Sequence, residues 1–445
     1  MNCFAEALLY FKKNHALKNF LLIVFFMSLY SCSGLKIDTS DIGPGWAKNS
    51  VNTVIFRKNA VTSNNKYQFT SYYDNDSNLV LAKRNLSDNT WQVHKTRYTG
   101  NSRDAHNAIS IVLDGEGYLH VSWDHHNTGL RYAISRTPFG LELGDELKMT
   151  EKQEKKVSYP QFYNLQGGDI LFMYRSGQSG RGSLVLNRFN NNTREWVQLH
   201  KNLIDGEDRR NAYWQAAVDK DGHIHLSWVW RESWDVATNH DLAYAVSKDK
   251  GQTWERSDGR EYELPITATT AEYAWKIPQN SNLINQTSMT VDNQGTPYIA
   301  SYWSDKGKTQ YRVIYLKEGK WKMENTAFRK TSFDLSGGGT KKIPISRPEI
   351  MVNSGNIYLL FRDAERNNRI SLAHKNISKG KNWKINDITS YSVGKWEPNY
   401  DHQLFDFEKE LHIFVQEVSQ MDSEGLSEQK PTTVKILEVK SLPKQ

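Results

Sequence analysis

The segment Asp114-Gly-Glu-Gly117-Tyr-Leu-His120-Val-Ser-Trp123 has a close copy at Asp219-Lys-Asp-Gly222-His-Ile-His225-Leu-Ser-Trp228. In both, an apolar strand leads into a turn with Asp and Gly, and the strand that follows ends in an aromatic residue. A third copy runs Asp292-Asn-Gln-Gly295-Thr-Pro-Tyr298-Ile-Ala-Ser301. A repeat of about 40–60 residues that contains several short strands is typical of a β-propeller.

Weaker copies of the pattern extend along the rest of the chain. They lie at Gly168-Asp-Ile-Leu171, Gly355-Asn-Ile-Tyr358, Glu410-Leu-His412-Ile and, least regularly, Lys66-Tyr-Gln-Phe-Thr-Ser-Tyr-Tyr73. With these copies the repeats number seven. We therefore predict an all-β chain that forms a seven-bladed β-propeller of four-stranded antiparallel blades over residues 51–440. The length of 445 residues would also allow two or three domains, but the repeat favours one.

The N-terminus has the pattern of a targeting segment. Lys12, Lys13 and Lys18 precede the apolar run 20–30, which is too short to span a bilayer comfortably. The following Leu29-Tyr30-Ser31-Cys32-Ser33-Gly34 resembles a bacterial lipoprotein box. We predict a signal peptide over 1–31, lipidation of Cys32 and a linker over 32–50; ordinary signal cleavage nearby is the alternative. The protein is then exported and lipid-anchored, in the periplasm or on the cell surface, and contacts the membrane only through its anchor.

Composition narrows the choice of partners. Cys3 and Cys32 are the two cysteines, so a chain lipidated at Cys32 has no disulfide and no cysteine-based metal site. The net charge of +7 suits an anionic partner such as an acidic polysaccharide. The sequence has no dense Lys/Arg stripe, so nucleic acid is not expected as a partner. We expect a monomer.

The innermost two strands of each blade predict where a site lies. Because these strands are antiparallel, the start of the first and the end of the second meet on one face of the disc. Residues at these positions are polar or aromatic rather than small and apolar; they include His106, His125, His126, Tyr159, Arg175, Tyr213, Trp230, Arg231, Arg347 and Arg362. This concentration predicts a functional site at the central funnel.

The residue types at the funnel favour eliminative cleavage of a uronic acid glycan. That reaction needs a cation to neutralise the carboxylate, a base to take the C5 proton and an acid for the leaving O4. Arginine, histidine and tyrosine supply all three functions. A hydrolase would use paired carboxylates, and the rim also holds Glu232, Asp305, Glu349, Asp363 and Asp401. A glycan-binding propeller without catalysis is the third alternative, and it would use aromatics such as Trp214, Trp230 and Trp303.

Blade two carries a resemblance to a known family. Its stretch from His106 through Asp114-Gly to Trp123-Asp-His125-His126-Asn127 resembles the BNR-type repeat family, which includes seven-bladed ulvan lyases of polysaccharide lyase families twenty-four and twenty-five. The resemblance covers the chain after the signal. It implies β-elimination on ulvan, a sulfated rhamnose–uronic acid polymer, or on another uronate glycan; a sialidase-like hydrolase lacks support because no early Arg-Ile-Pro motif occurs.

The same resemblance implies roles for individual residues. His106 and Tyr159 become the base and acid, in an order left open. His126 and Arg175 bind and neutralise the carboxylate, with His125 competing for the role of His126. The other residues implied to contact the substrate are Tyr213, Trp230, Arg231 and Arg347. Those implied to contact its rhamnose sulfate are Arg231, Arg347 and Arg362.

No cofactor is required for this chemistry, but some members of the family hold a structural metal ion. A zinc or calcium ion would draw its ligands here from His223, His225, His240 and His402. Their spacing gives only weak support for a metal site. The single Asp-box, Ser247-Lys-Asp249-Lys-Gly251-Gln-Thr253-Trp254, is predicted to stabilise a turn rather than to act in catalysis.

Overall fold

The computed structural model describes residues 35–285, 288–380 and 382–444. From Ile37 onward these residues form one compact unit. The predicted signal peptide 1–31 and the predicted lipidation site Cys32 lie outside the described residues, so both stay predictions. Within the described ranges, none of the helices is both long and apolar enough to cross a membrane.

The strands form seven antiparallel sheets, each of which is one blade. The first strand, β1 (Ile37–Gly45), belongs to the last blade. Blade one contains β2 (Val61–Ser63), β3 (Tyr67–Tyr73), β4 (Asn78–Asn85) and β5 (Gln92–Thr99). Blade two contains β6 (Ser110–Leu113), β7 (Leu119–Ser122) and β9 (Tyr132–Ile134). Blade three contains β8 (His126–Thr128), β10 (Val157–Asn164), β11 (Ile170–Gln178), β12 (Arg181–Asn190) and β13 (Glu195–His200).

The second half of the chain continues the same order. Blade four contains β14 (Asn211–Val218), β15 (Ile224–Arg231), β16 (Asn239–Ser247) and β17 (Glu272–Trp275). Blade five contains β18 (Ser288–Val291), β19 (Pro297–Asp305), β20 (Lys308–Lys317) and β21 (Lys320–Asn325). Blade six contains β22 (Glu349–Asn353), β23 (Asn356–Asp363), β24 (Arg369–Asn376) and β25 (Lys384–Asp387). Blade seven contains β26 (Leu411–Val415) and β27 (Thr432–Val439), after the helix α1 (His402–Glu408).

The prediction of seven antiparallel blades is confirmed, with three local differences in strand number, one of which is the fifth strand, β8, of blade three. In blade two the outer strand is reduced to a β-bridge between Ser135 and Leu143, and in blade seven the inner strand is reduced to a bridge between Tyr400 and Ile413. β1 pairs with β27 and completes blade seven. Much of the predicted linker 32–50 is therefore a strand, which joins the two ends of the described chain in one sheet.

Side-chain hydrogen bonds fix the repeated turn. The Asp114 carboxylate accepts hydrogen bonds from the backbone N–H groups of Glu116 and Tyr118, at 2.9 and 2.8 Å. Gly117 completes the turn at a φ of 84°, a conformation that glycine adopts without a steric penalty. Asp219 and Asp292 make the matching bonds in blades four and five. The Asp-box forms a similar turn, in which Asp249 accepts from the amides of Gln252 and Thr253, as predicted.

Most of the tryptophans pack in the interior, as expected for residues that fill the space between blades. The largest side chains with less than 2% exposure include Trp123, Trp214, Trp228, Trp230, Trp254 and Trp396. Burial of such rings removes large apolar surfaces from water and holds the blades against one another. The funnel positions at the strand ends are therefore carried on a rigid frame.

Candidate active site

The first two strands of blade three set two site residues side by side. In β10 and β11, Ser158 pairs with Arg175, and a bulge follows before Gln161. Tyr159 lies in this bulge with a φ of 58°, which is unusual for a bulky residue. Such a conformation persists only where the surrounding structure holds it, and it is found most often at functional sites.

A cavity of about 280 Å³ opens where the strand ends meet. Its lining brings together most of the site residues that the sequence predicts: His106, His126, Tyr159, Arg175, Tyr213, Arg231, Arg347 and Arg362. These residues come from blades two, three, four and six, so only the closed propeller assembles them. The predicted gathering of polar residues at the funnel is therefore what the structure forms, while their individual roles stay predictions.

Two histidines share one carboxylate at the edge of the cavity. The rings of His106 and His126 stack with centroids 4.1 Å apart. Each Nδ1–H donates to Asp104, at 2.8 Å from His106 and 2.6 Å from His126. Glu424, from the loop before β27, adds a second carboxylate 3.1 Å from His106 Nδ1.

These carboxylates decide the charge of His106. Burial opposes its protonation, but the hydrogen bonds and negative charges of Asp104 and Glu424 outweigh burial and raise the pKa of His106 to about 9. Burial likewise opposes ionisation of Asp104, yet its bonds to His106 and His126 hold its pKa well below the usual range. His106 is therefore an imidazolium at neutral pH and suits the role of a proton donor.

Arg175 is a buried cation that forms no ion pair with a carboxylate of the described residues. Only 2% of the residue is exposed, and its guanidinium lies 5.0 Å from the centroid of the Tyr159 ring. Nη2 donates to Ser158 Oγ at 3.1 Å, whereas Nε and Nη1 have no hydrogen-bond partner among the described residues. Since buried charges are almost always paired, this group is arranged for a ligand that brings a negative charge.

Tyr159 and Tyr213 form a pair of buried phenols, with ring centroids 5.8 Å apart. Burial, and then the negative charge that Tyr213 can carry, raise the pKa of Tyr159 well above its usual value. For Tyr213, burial is outweighed by the positive charges of Arg231 and Arg175, which lower its pKa to about 7. The pair therefore loses its first proton near neutral pH, which makes a phenolate available inside the cavity.

The other arginines of the cavity differ in how far they are paired. Arg347 forms a two-pronged ion pair with the buried Glu397, with Nε at 2.8 Å from Oε1. Arg362 donates to Asn368 Oδ1 and to three backbone carbonyls. Arg231 donates to the carbonyl of Trp234, and its Nε has no partner within the described part of the chain. Arg347 and Arg362 are thus largely engaged by the fold, and the predicted ligand contact from Arg347 is weakened accordingly.

Two predicted contacts do not reach the cavity. His125 is fully buried, and its Nε2 lies 3.1 Å from Ser122 Oγ and 3.2 Å from the Arg131 carbonyl. Burial lowers the pKa of His125 to about 3, so it packs as a neutral ring. Trp230 is also 0% exposed, and its ring meets that of Trp228 edge-on at 6.1 Å. Neither residue lines the cavity, so the geometry does not support a substrate contact from either, whereas His126, with which His125 competed, does line it.

Several residues in or beside the cavity carried no sequence prediction. Asp104 stands two residues before His106, and this spacing was a usable signal. Trp234 lines the cavity and is 65% exposed, although it lies outside the repeat. Lys341 and Lys395, which also line the cavity, and Glu424 come from connecting loops, where no periodic pattern marks them.

Of the predicted metal candidates, only two lie in a group that could hold an ion. His223 and His225 lie 3.1 and 3.2 Å from the Asp219 carboxylate. His240 instead bonds with Glu232 and Asp241, and the ring of His402 contacts that of Tyr400 in a tilted arrangement, at 4.0 Å between centroids. Within the described ranges, the other group of this kind is that of Asp104 with His106 and His126.

The Asp219 group has a counterpart in blade two that explains it without a metal. His225 bonds both with Asp219 and with the Tyr244 hydroxyl, and His120 bonds in the same way with Asp114 and Tyr132. In blade two the guanidinium of Arg194 stands 2.6 Å from Asp114, where His223 stands in blade four. The donor set suits a metal ion, but hydrogen bonding alone accounts for its geometry.

Known proteins similar to this chain share its repeat and its architecture. The model of the BNR repeat-containing family matches residues 67–329. An ulvan lyase of the PL25 type from Pseudoalteromonas sp. (strain PLSV) is 22% identical over 289 residues, which are 57% of this chain and 56% of the relative. An ulvan lyase from Alteromonas sp. (strain LOR) is 24% identical over 260 residues, 50% of this chain and 53% of the relative. The chain thus aligns with about half the length of these curated relatives.

Solved structures extend the similarity over most of the fold. A PL25 ulvan lyase superposes with a TM-score of 0.69 at 17% identity, over 89% of this chain and 94% of that one. The polysaccharide lyase Uly1 superposes with a TM-score of 0.67 at 15% identity, over 91% of this chain and all of that one. A further PL25 structure, with a TM-score of 0.68 at 17% identity over 89% of this chain and 94% of that one, is bound to -[GlcA(1-4)Rha3S]-. At these identities the likeness establishes the propeller fold.

Proposed function

The chain belongs to the BNR repeat-containing family, and from this premise we propose that it is a polysaccharide lyase that cleaves ulvan by β-elimination at the uronate. The observation that carries the proposal is Arg175, a buried guanidinium that lines the cavity without a carboxylate partner among the described residues. A uronate carboxylate supplies the missing charge in a two-pronged contact. The names of the relatives point to the same substrate class.

The first step is neutralisation of the carboxylate. Arg175 and His126 face one cavity with Tyr159, so a uronate whose carboxylate binds these two side chains lies beside the phenols. Positive charge next to the carboxylate stabilises the carbanion-like state that forms as the C5 proton leaves. Because the site is largely buried, these charges act more strongly than they would in water.

The phenols and the imidazolium then divide the proton transfers. The phenolate of the Tyr159–Tyr213 pair lies on Tyr213, because the pKa of Tyr213 is lowered to about 7 and that of Tyr159 is raised. Tyr159, the ring between His106 and Tyr213 and next to the sugar, therefore accepts the C5 proton as it passes its own hydroxyl proton to Tyr213. The bond from C4 to O4 breaks, a double bond forms between C4 and C5, and His106 donates its proton to O4. This assigns Tyr159 as the base and His106 as the acid, the order that the sequence left open.

Hydrolysis fits the cavity less well. It would require a pair of carboxylates to serve as acid and as nucleophile or base. The one acidic residue among the described residues that line the cavity is Glu397, which is engaged by Arg347. Asp104 and Glu424 are likewise engaged by the histidines.

Export and the lipid anchor at Cys32 belong to the same proposal, because a polymer such as ulvan is met outside the cytoplasm. A structural metal, if bound, would be held by Asp219, His223 and His225 and would brace a turn of blade four; no step of the reaction passes through it.

The test is to incubate the protein with ulvan and follow the ultraviolet absorbance of the unsaturated uronate, which elimination creates and hydrolysis does not. Tyr159→Phe should lower the rate by roughly 10²–10⁴-fold, the usual contribution of a general base. Tyr262→Phe, a buried tyrosine that does not line the cavity, is the control for folding. Cleavage without new absorbance would indicate hydrolysis, and binding without cleavage would indicate a lectin-like role.

A further inference from the structure

We propose that Lys395, supported by Lys341, forms a second anion site in the same cavity and that this site takes the sulfate ester of the sugar next to the bound uronate. The inference rests on the proposed function. It names a substrate contact that neither the repeat nor the pairing of the funnel arginines indicated. Both lysines line the cavity together with the arginines.

Most of the cationic side chains that line the cavity are already engaged by the fold. Arg347 is paired with Glu397, and Arg362 is bonded to backbone carbonyls. Lys341 has Asp422 at 3.5 Å, but that carboxylate is 57% exposed and the pair is therefore weak. Lys395 has no carboxylate or side-chain acceptor within the described part of the chain. Apart from Arg362, the cavity thus holds three cations without a carboxylate partner among the described residues: Arg175, Arg231 and Lys395. Arg175 and Arg231 both act on the Tyr213 phenol, whose pKa they lower to about 7, and the uronate binds beside them, so Lys395 is left for a second anion.

The Lys395 ammonium lies in an environment of positive charge. The residue is half-buried, and the charges of Arg362 and Lys342 lie close enough to matter. Burial, then Arg362 and then Lys342, lower the pKa of Lys395 to about 8. An anion that binds between neighbouring cations offsets their mutual repulsion, so such a group of cations favours anion binding.

The backbone holds Lys395 in place. Its N–H donates to the Val418 carbonyl at 2.8 Å, and the preceding Gly394 forms a bridge with Val418. Gly394 has a φ of 64°, and an added Cβ there would collide with the Val418 carbonyl oxygen. Two residues further on, the amide of Glu397 donates to the Thr53 carbonyl at 3.1 Å. The lysine therefore projects from a braced turn rather than from a free loop.

Arg175 and Lys395 differ in the anion that they suit. Arg175 presents a planar fork, which matches a carboxylate, whereas a lysine ammonium is a point charge with donors that rotate to meet a tetrahedral oxyanion. Arg175 lies in blade three, and Lys395 lies in the loop between blades six and seven. This separation along the ring of blades suits anions on two neighbouring sugars better than two anions on one.

The test compares Lys395→Gln with the wild type on ulvan and on the same polymer after chemical desulfation. We expect KM on ulvan to rise about tenfold in the variant, as for loss of one charge-assisted contact, while kcat changes little. On the desulfated polymer the two proteins should have equal KM. Lys317→Gln is the matched control, because this exposed lysine of β20 does not line the cavity, and it should retain the discrimination of the wild type.

Other results would overturn the inference. An equal loss on both polymers would assign Lys395 to a second uronate carboxylate, and an unchanged KM on ulvan would exclude the site. Thermal melting of both variants would identify a loss due to misfolding; Lys341→Gln, with a smaller rise of KM on ulvan alone, then supplies an independent variant. If the wild type releases no unsaturated uronate, the proposed function fails by itself. Calorimetry then tests the sulfate site without catalysis, by comparing the binding of native and desulfated ulvan to the wild type and to Lys395→Gln. A loss of affinity in the variant for native ulvan alone would support the site, and equal affinities of the two proteins for native ulvan would exclude it.

Discussion

His106 and His126 stack face to face at 4.1 Å, and their Nδ1 atoms bond with the two oxygens of the same carboxylate, that of Asp104. No described residue bonds with Nε2 of either ring, so these atoms are left for a ligand. Two imidazoles in such contact would repel one another as cations. The intervening carboxylate, together with Glu424, holds His106 in its protonated form at neutral pH.

Replacement of Asp104 by Asn should move the alkaline limb of the pH–rate profile. The carboxylates of Asp104 and Glu424 raise the pKa of His106 to about 9, and the reaction needs the protonated ring. The limb near pH 9 should therefore shift toward lower pH in Asp104→Asn, with a smaller shift in Glu424→Gln. The measurement is kcat/KM against pH. A limb that stays in place in both variants would mean that His106 is not the proton donor.

The same substitution predicts a change in stability with a defined sign. Because the folded pKa of His106 lies above its unfolded value of about 6.5, its stabilisation is complete below about pH 6.5 and is lost as the pH rises through about 9. The free energy of unfolding of the wild type should fall across this window, and that of Asp104→Asn should fall less. Urea titrations at fixed pH values measure the difference.

Arg231 should control the acid limb of the same profile. Its charge, with that of Arg175, outweighs burial and lowers the pKa of Tyr213 to about 7. Arg231→Gln should therefore raise that pKa and shift the acid limb of kcat/KM toward higher pH, while Arg231→Lys, which keeps the charge, should shift it less. In the profile of kcat against pH, the acid limb should lie above pH 7 even in the wild type. The carboxylate of the bound substrate adds negative charge beside Tyr213 and so raises its pKa. Equal limbs in all three proteins would exclude the tyrosine pair as the base.

The strand-end positions could be predicted from the sequence because the turns are encoded locally. Asp114, Asp219 and Asp292 each fix their turn through bonds to residues two and four positions ahead. Once the turn is placed, strand period and antiparallel pairing carry His106, Tyr159, Arg175 and Tyr213 to one face. These contacts are short in sequence or follow from symmetry of the repeat.

The remaining residues depend on geometry that no local pattern encodes. Asp124 and Asn127 both have positive φ. Side chains between β7 and β8 therefore do not alternate between the two faces of a strand, and the sequence could not show which of His125 and His126 faces the cavity. In the regular β15, side chains alternate between the two faces, so Trp230 lies on the same face as the buried Trp228. Arg231, the last residue of the strand, lies at the cavity instead. Glu424 and Lys395 reach the cavity from loops whose paths are set by tertiary packing.

Arg175→Lys should separate charge from shape in carboxylate binding. The lysine keeps the positive charge but loses the fork that grips both carboxylate oxygens. We expect KM for ulvan to rise roughly tenfold, with a fall in kcat because the carbanion-like state is stabilised less well. Arg188→Lys, in β12 and outside the cavity lining, serves as the control. Unchanged kinetics in Arg175→Lys would remove the uronate carboxylate from this position.

Trp234 and Trp230 should respond to substitution in opposite ways. Trp234 lines the cavity, is 65% exposed and packs against the backbone of Gly338, so its free face is available to stack on a sugar ring. Trp234→Ala should raise KM for the polymer by about fivefold, a contribution typical of aromatic contacts, and leave the melting temperature nearly unchanged. Trp230→Ala instead should reduce the free energy of unfolding by about 3–5 kcal/mol, because it empties a buried site. A melting temperature that falls equally in both variants would show that Trp234 supports the fold rather than the substrate.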